Sequence, residues 1–555
     1  MPGFAYCLVL HAHLPLVLRH GRWPHGSDWL CEAALECYLP LLETAERLIA
    51  RGASPKWTID ISPVLAEQLA APDFRTELEF YVENRRRACR ENRQSFSRSG
   101  RPDLAALADF WEANLDRMWG LFLRRGRDLT AAFADLDRAG HLETMASAAT
   151  HGYLPLLARD ESIHLQLRTA VETHRRHFGR PPRGIWLPEC AYRPRVALAS
   201  GVRPGIEELL ARHDLRFFVV DHHLIAGGQP RSHYLDRFPA LRLLAGEPVP
   251  STPSFGGPSP YRVHRIASPG GADWAVAFVR DPRSTLQVWS RDAGYPGDFA
   301  YLEFHKKHFP GGLRYWRVTD STRDLGTKEA YDPKRAEERC EAHARHFVSL
   351  VRETLAEAGR DGSPSLVCAP YDAELFGHWW FEGPAWLERV TEGLLGSGIV
   401  PMTLSETLEA CPPHGAVSLR EGSWGEGGDH RIWLNRDTEW VWDRIRSAER
   451  DLVELLNRIG SGLPPLLHRV VTQACRELLL LQASDWPFLI TTWSARDYAQ
   501  RRVLEHSAAF VQLVEMGRLL LSGSTLPSEV ERRLGELERT DFCFPDLDPA
   551  WIRAR

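Results

Sequence analysis

Arg183-Gly184-Ile185-Trp186-Leu187-Pro188-Glu189-Cys190-Ala191-Tyr192 reads as a short apolar strand, residues 184–187, stopped by a proline and delivering Glu189 among Trp186, Tyr192 and Pro188. A strand fixes its backbone while the following loop lines a pocket, so barrel enzymes carry catalytic groups at such exits. On this decapeptide alone, a Glu that begins the next helix or pairs with Arg193 fits equally well.

The same unit recurs along the chain. Apolar runs at residues 4–10, 57–61, 142–148, 217–220, 275–279 and 365–371 read as strands. Polar groups stand beyond most of them: His11 and His13, His151, Asp221 with His222 and His223, Arg280, and Asp372. Repeated strand, polar end-group and helix predict an α/β barrel whose loops build one site. Period-2 alternation puts His11 and His13 on one side of their strand end. Such a pair can hold a divalent metal, hydrogen-bond a polar substrate or serve structurally, and the motif alone leans towards metal.

Between these units a helix is predicted from Ser27 or Asp28 to Pro40, with Trp29 in its first turn as core or pocket wall. The helical stretch 63–139 breaks near Pro72 and at residues 99–102. Residues 226–269 are aperiodic and rich in Gly, Pro and Ser, a lid-like loop whose polar aromatics are Tyr234 and Tyr261. Beyond Pro412 and Pro413 a glycine-rich loop carries Trp424, with Trp433 nearby, and residues 440–539 are helical. The loop lacks the Gly-x-x-x-x-Gly-Lys pattern of a phosphate cradle. The division expected is a catalytic barrel over 1–410 and a helical C-terminal domain over 411–545 that contributes to the site.

At 555 residues, 44% hydrophobic, 25% charged and with a net charge of -5, the chain has the composition of a large globular enzyme. Arg85-Arg86-Arg87 lies among Glu83, Asn84 and Glu91, a solvated helix face that argues against a nucleic-acid partner. Ten cysteines without a Cys-x-x-Cys pair argue against a zinc ribbon or a disulfide framework. No apolar run approaches the roughly 18–20 residues of a membrane helix and the N-terminus lacks a basic leader, so a cytoplasmic protein with no membrane partner is expected. Nineteen tryptophans are many for a core, and an indole face stacks on a sugar ring. Two carboxylates, Glu189 and Asp372, in an aromatic pocket are the equipment of glycoside chemistry, retaining if they lie about 5–5.5 Å apart and inverting if wider.

On these motifs the chain resembles glycoside hydrolase family 57. Five segments appear in the family's order: His11-Ala12-His13-Leu14-Pro15, the segment around His151, Trp186-Leu187-Pro188-Glu189-Cys190-Ala191-Tyr192, Asp372-Ala373-Glu374-Leu375-Phe376-Gly377, and the Trp424 loop. Asp28-Trp29-Leu30, Gln287-Val288-Trp289-Ser290, Gly294-Tyr295-Pro296-Gly297-Asp298, Gly377-His378-Trp379-Trp380-Phe381-Glu382-Gly383 and Ser484-Asp485-Trp486 are similar to the family's 1,4-alpha-glucan branching enzymes.

The resemblance implies a distorted (β/α)7 barrel, a small helical insertion at about 193–216, the lid-like loop at 226–269 and a helical C-terminal domain. It implies Glu189 as nucleophile and Asp372 as general acid/base of a retaining transfer that cleaves α-1,4 bonds and forms α-1,6 branches. The partner implied is an α-1,4-glucan such as amylose or a glycogen-like polymer, with no cofactor and no metal, which reverses the leaning of the His-x-His motif. Arg280, Gly297, Trp424 and Asp485 resemble glucan contacts, with Trp29, Trp289 and Trp433 as aromatic walls. His11, His13 and His151 can donate hydrogen bonds to sugar hydroxyls or to Glu189. Glu374 competes with Asp372 as the acid. Branching members use a loop tyrosine, for which Tyr234 and Tyr261 are the candidates. The loop here is longer and richer in Pro and Gly than expected, which leaves an α-1,4-glucan hydrolase or 4-α-glucanotransferase as the alternative. The chemistry further expects Glu189 ionised and Asp372 holding a proton.

Overall fold

Seven short runs, nearly continuous in apolar residues and buried on both faces, satisfy what a parallel sheet covered by helices requires. They form β1 (Phe4–Ala12), β2 (Trp57–Ile61), β3 (Leu142–Ser147), β4 (Gly184–Trp186), β5 (Phe217–Val220), β6 (Val276–Val279) and β7 (Ser365–Asp372). The computed structural model describes residues 3–198, 201–226, 258–267, 275–290, 294–320, 324–413, 415–459 and 463–552. The strands are all parallel and run in the order β7-β1-β2-β3-β4-β5-β6. The ring closes where Arg280, just after β6, bridges Cys368 of β7, and the Asp281 N–H donates to the Cys368 carbonyl at 2.9 Å. Eight residue pairs join β1 to β7, against that single bridge at the seam. The result is the α/β barrel that the repeated units predicted, in the distorted (β/α)7 form that the family resemblance implied. Beyond β6 the sheet gains an antiparallel strand, His264–Ile266, and Ala416–Val417 pairs parallel with it.

Two local expectations are corrected. The helix predicted to stop at Pro40 continues: α1 (Ser27–Ala33) passes through a π-turn, Ala34–Tyr38, into α2 (Leu39–Ala50). Pro40 falls in the first turn of α2, where a missing N–H is tolerated, and the wider π-turn ahead of it takes up the mismatch. Residues 193–216, expected as a helical insertion, carry an antiparallel hairpin, Val196–Leu198 with Gly201–Arg203, before the short helix Ile206–Ala211. Pro194, Gly201, Pro204 and Gly205 deny a longer helix and favour turns.

The C-terminal helices α3 (Glu439–Asn457), α4 (Pro465–Leu481), α5 (Asp485–Thr492) and α6 (Arg496–Leu521) have no separate core. Leu478, Leu479 and Trp486 share one hydrophobic cluster with Ile185, Trp186 and Leu187 of the β4 region, so the start of α5 lies over the barrel mouth. All ten cysteines are free, and among the described residues no helix is long and apolar enough to cross a membrane.

Candidate active site

The strand ends converge as a parallel barrel demands. His11 pairs in register with Asp60 of β2 on one side and with Asp372, the last residue of β7, on the other. Glu189 follows β4 within the 3-10 turn Pro188–Cys190, where Glu189 (φ 61°) and Cys190 (φ 48°) are both left-handed. Each such residue costs about 1–3 kcal/mol and persists only when its surroundings over-determine it.

Here they do. The Trp424 indole N–H donates to Glu189 Oε2 at 2.9 Å, the Trp424 backbone N–H donates to the Glu189 carbonyl at 3.1 Å, and the Ser484 hydroxyl donates to Oε1 at 3.1 Å. His151, itself left-handed (φ 58°), shares Ser484 through Nδ1 at 2.8 Å. Ser484 has one proton and gives it to Glu189, so in this contact His151 Nδ1 carries its own. Burial pushes Glu189 up to about 7; Trp424 and Ser484 oppose the rise, and the charges of Asp372 and Asp485 add to it.

The three histidines stack. Ring centroids lie 4.7 Å apart for His11–His151 and 4.2 Å for His13–His151, and His11 lies flat on Trp186 at 4.7 Å. His11 Nδ1 meets Asp60 at 2.5 Å, and His13 is held between Ser62 at 2.8 Å and Asp485 at 2.9 Å. Burial holds His11 and His151 well below the ordinary imidazole range, so both are neutral and suited to sugar hydroxyls. His13, His151 and Asp485 bring three donor atoms within 4.8 Å, a grouping of the kind that can hold a metal ion. Face-to-face imidazoles, however, point their in-plane lone pairs side by side, a poor match to a tetrahedral ion.

Arg280 is buried, ion-paired with Asp221 at 3.0 Å, and its guanidinium lies 5.5 Å over the Trp424 ring. Trp29 lines a cleft of about 900 Å³ with Trp379 and His378, and Trp289 packs 6.1 Å from Trp379. Gly297 is the exposed end of a turn whose Tyr295 is buried against the core residues Trp380 and Trp386. Trp433, expected as a sugar wall, is corrected to core: it is 1% exposed and packed on Tyr153 and Phe488. Tyr234 lies outside the described residues. Tyr261 bonds Asp281 at 3.1 Å and its carbonyl accepts from Leu366, near the start of β7. The Tyr261 hydroxyl is thus held by Asp281, the residue after Arg280 at the exit of β6. Glu374 is buried; its Oε1 accepts from the Tyr38 hydroxyl at 2.6 Å and from the His13 N–H at 3.2 Å.

Sequence reasoning missed Ser484 and Asp60. Ser484 is spelled beside Asp485, but a serine opening a helix reads as a cap. Asp60 left a clearer signal, an acid inside an otherwise apolar strand.

The family profile described as glycosyl hydrolase family 57 matches residues 7–420, and one described as 1,4-alpha-glucan branching enzyme, C-terminal, matches residues 444–551. The chain is 42% identical over 547 residues to a 1,4-alpha-glucan branching enzyme of Thermococcus kodakarensis, covering 95% of this chain and 76% of that one. The crystal structure of the Thermococcus enzyme with glucose superimposes with a TM-score of 0.89 at 40% identity, over 99% of this chain and 96% of that chain. A branching enzyme of Pyrococcus horikoshii gives 0.88 at 37% identity, over 99% and 97%. The alpha-amylase AmyC of Thermotoga maritima gives 0.79 at 28% identity, over 99% of both chains.

Proposed function

The chain belongs to glycosyl hydrolase family 57, and from that premise we propose that it is a 1,4-alpha-glucan branching enzyme, cleaving α-1,4 bonds and joining the released chain to a 6-hydroxyl. The observation that carries the roles is Glu189, forced into a left-handed turn and held by two neutral donors at the exit of β4, with Asp372 ending β7 in register with His11. Ionised Glu189 attacks the anomeric carbon while Asp372 gives its proton to the departing 4-oxygen, leaving a glycosyl ester on Glu189. The acceptor's 6-hydroxyl then attacks the same carbon, passes its proton to the Asp372 carboxylate and frees Glu189.

With its pKa pushed up to about 7, Glu189 is only partly ionised at neutral pH. Positive charge developing on the sugar beside it favours the carboxylate. Neutral His11 and His151 take sugar hydroxyls without adding a competing cation, and Asp485 orients His13. Arg280, Trp424, Trp29 and Trp289 border the glucan path, and the branched polymer shares the cytoplasm with the enzyme.

Amylose supplies the test: α-1,6 signals appear by proton NMR and iodine colour falls with little growth of reducing ends. The likeness to AmyC favours hydrolysis as the second reading, and an immediate rise in reducing ends without α-1,6 signals would select it.

A further inference from the structure

The π-turn Ala34–Tyr38 touches the loop behind Asp372 at four places. The Cys37 thiol donates to the Ala373 carbonyl at 3.0 Å, the Tyr38 hydroxyl donates to Glu374 Oε1 at 2.6 Å, and Glu36 accepts from His378 Nδ1 at 3.0 Å. The fourth is Gly377 (φ +108°), where a Cβ would lie 1.8 Å from the Glu36 carbonyl oxygen, so only glycine allows the approach. Glu374 Oε1 also accepts the His13 backbone N–H at 3.2 Å. One carboxyl oxygen therefore joins the helix turn, the exit of β1 and the segment carrying Asp372.

We propose that Tyr38 and Glu374 are positioning residues that set Asp372 and His13 against Glu189, with the π-turn as their support. Glu374 is 6% exposed, and a leucine would fill its place without the desolvation cost of a buried carboxyl. Both described partners of its Oε1 belong to segments that reach the site. Single π-turns inside α-helices are frequent at functional sites, and this one faces the loop of the acid. Burial, with the charge of Asp372 adding, pushes Glu374 up to about 8, so at neutral pH it is chiefly a neutral group that holds place by hydrogen bonds.

The inference rests on Asp372 being the acid of the proposed transfer. It is tested on the full chain by the kcat and KM of α-1,6 formation on amylose, beside Asp372→Asn. Tyr38→Phe keeps the ring and should lower kcat about 10-fold with KM within about 2-fold, while Glu374→Leu should lower kcat about 100-fold. Glu374→Gln keeps the accepting oxygen and should retain about a third or more of kcat, the rescue that a positioning role demands. Glu374→Gln as inactive as Asp372→Asn would overturn the proposal, because Glu374 would then act in the chemistry. Unchanged kcat in Tyr38→Phe also overturns it and reduces the contact to packing, a result that stands even if Glu374→Leu does not fold. Full activity of Asp372→Asn would sink the underlying reading along with the inference.

Discussion

Glu189 in the barrel mouth and Asp541 behind the C-terminal helices are both buried acids beside histidines, yet their partners differ in kind. Asp541 accepts from His20 at 2.9 Å and lies 3.8 Å from the guanidinium of Arg502, which is 2% exposed and charged at any pH. Burial works against its ionisation, but the His20 hydrogen bond and nearby positive charge hold Asp541 well below the ordinary carboxylate range. Glu189 has two neutral donors and acidic neighbours, and burial leaves it near 7. A buried acid matched to a cation is committed to stability; one matched to neutral donors is poised for chemistry.

The contrast breaks most sharply at the site itself. Glu189→Gln and Asp372→Asn should each lower kcat on amylose on the order of 10⁴-fold while glucan affinity survives, since both act in the transition state. Arg502→Met should instead leave the kcat of folded protein intact and cost about 1–3 kcal/mol in urea unfolding, because Asp541 loses the nearby positive charge and keeps only its His20 hydrogen bond, and the contacts of Arg502 with Glu505 and His506 are lost. If Arg502→Met destabilised by less than the error of the titration, Asp541 would not be the compensated acid described here.

Acidity sharpens the comparison further. The acid limb of kcat/KM should fall at about 7, where Glu189 protonates. Trp424→Phe removes the donor that opposes the rise, so the limb moves to higher pH and the rate at neutral pH drops about 10-fold. The stability signs are opposite. Glu189, raised from 4.5 to about 7, contributes stability that is full at low pH and lost as pH rises through that range. Asp541, depressed below 3.8, contributes stability that is present above that value and lost as pH falls through its lowered value. Unfolding free energy measured against pH in Glu189→Gln and Arg502→Met separates the two contributions. The smallest effect belongs to Tyr261→Phe, which should leave α-1,6 formation unchanged; a marked loss would return Tyr261 to the list of lid residues.

Repetition made the fold legible. Seven apolar runs, most of them followed by polar groups, pointed to a parallel α/β barrel, and Glu189, Asp372, His11, His13, His151 and Arg280 were all visible as strand-end residues. The reading failed where a residue's meaning depends on what packs against it. Trp433 and Trp424 look alike in sequence. In the fold both are buried, but one packs on Tyr153 and Phe488 while the other gives its N–H to Glu189. Ser484 lies 295 residues from the carboxylate it bonds. Pro40 read as a helix stop because the π-turn that accommodates it has no residue signature.

The sequence by itself determined which groups stand at the barrel mouth, because period and strand exit are local properties of a chain. The tertiary structure alone decided how acidic each is and which neighbours aim it. Burial, charge coupling and hydrogen-bond partners are set by residues hundreds of positions away, and no local pattern encodes them.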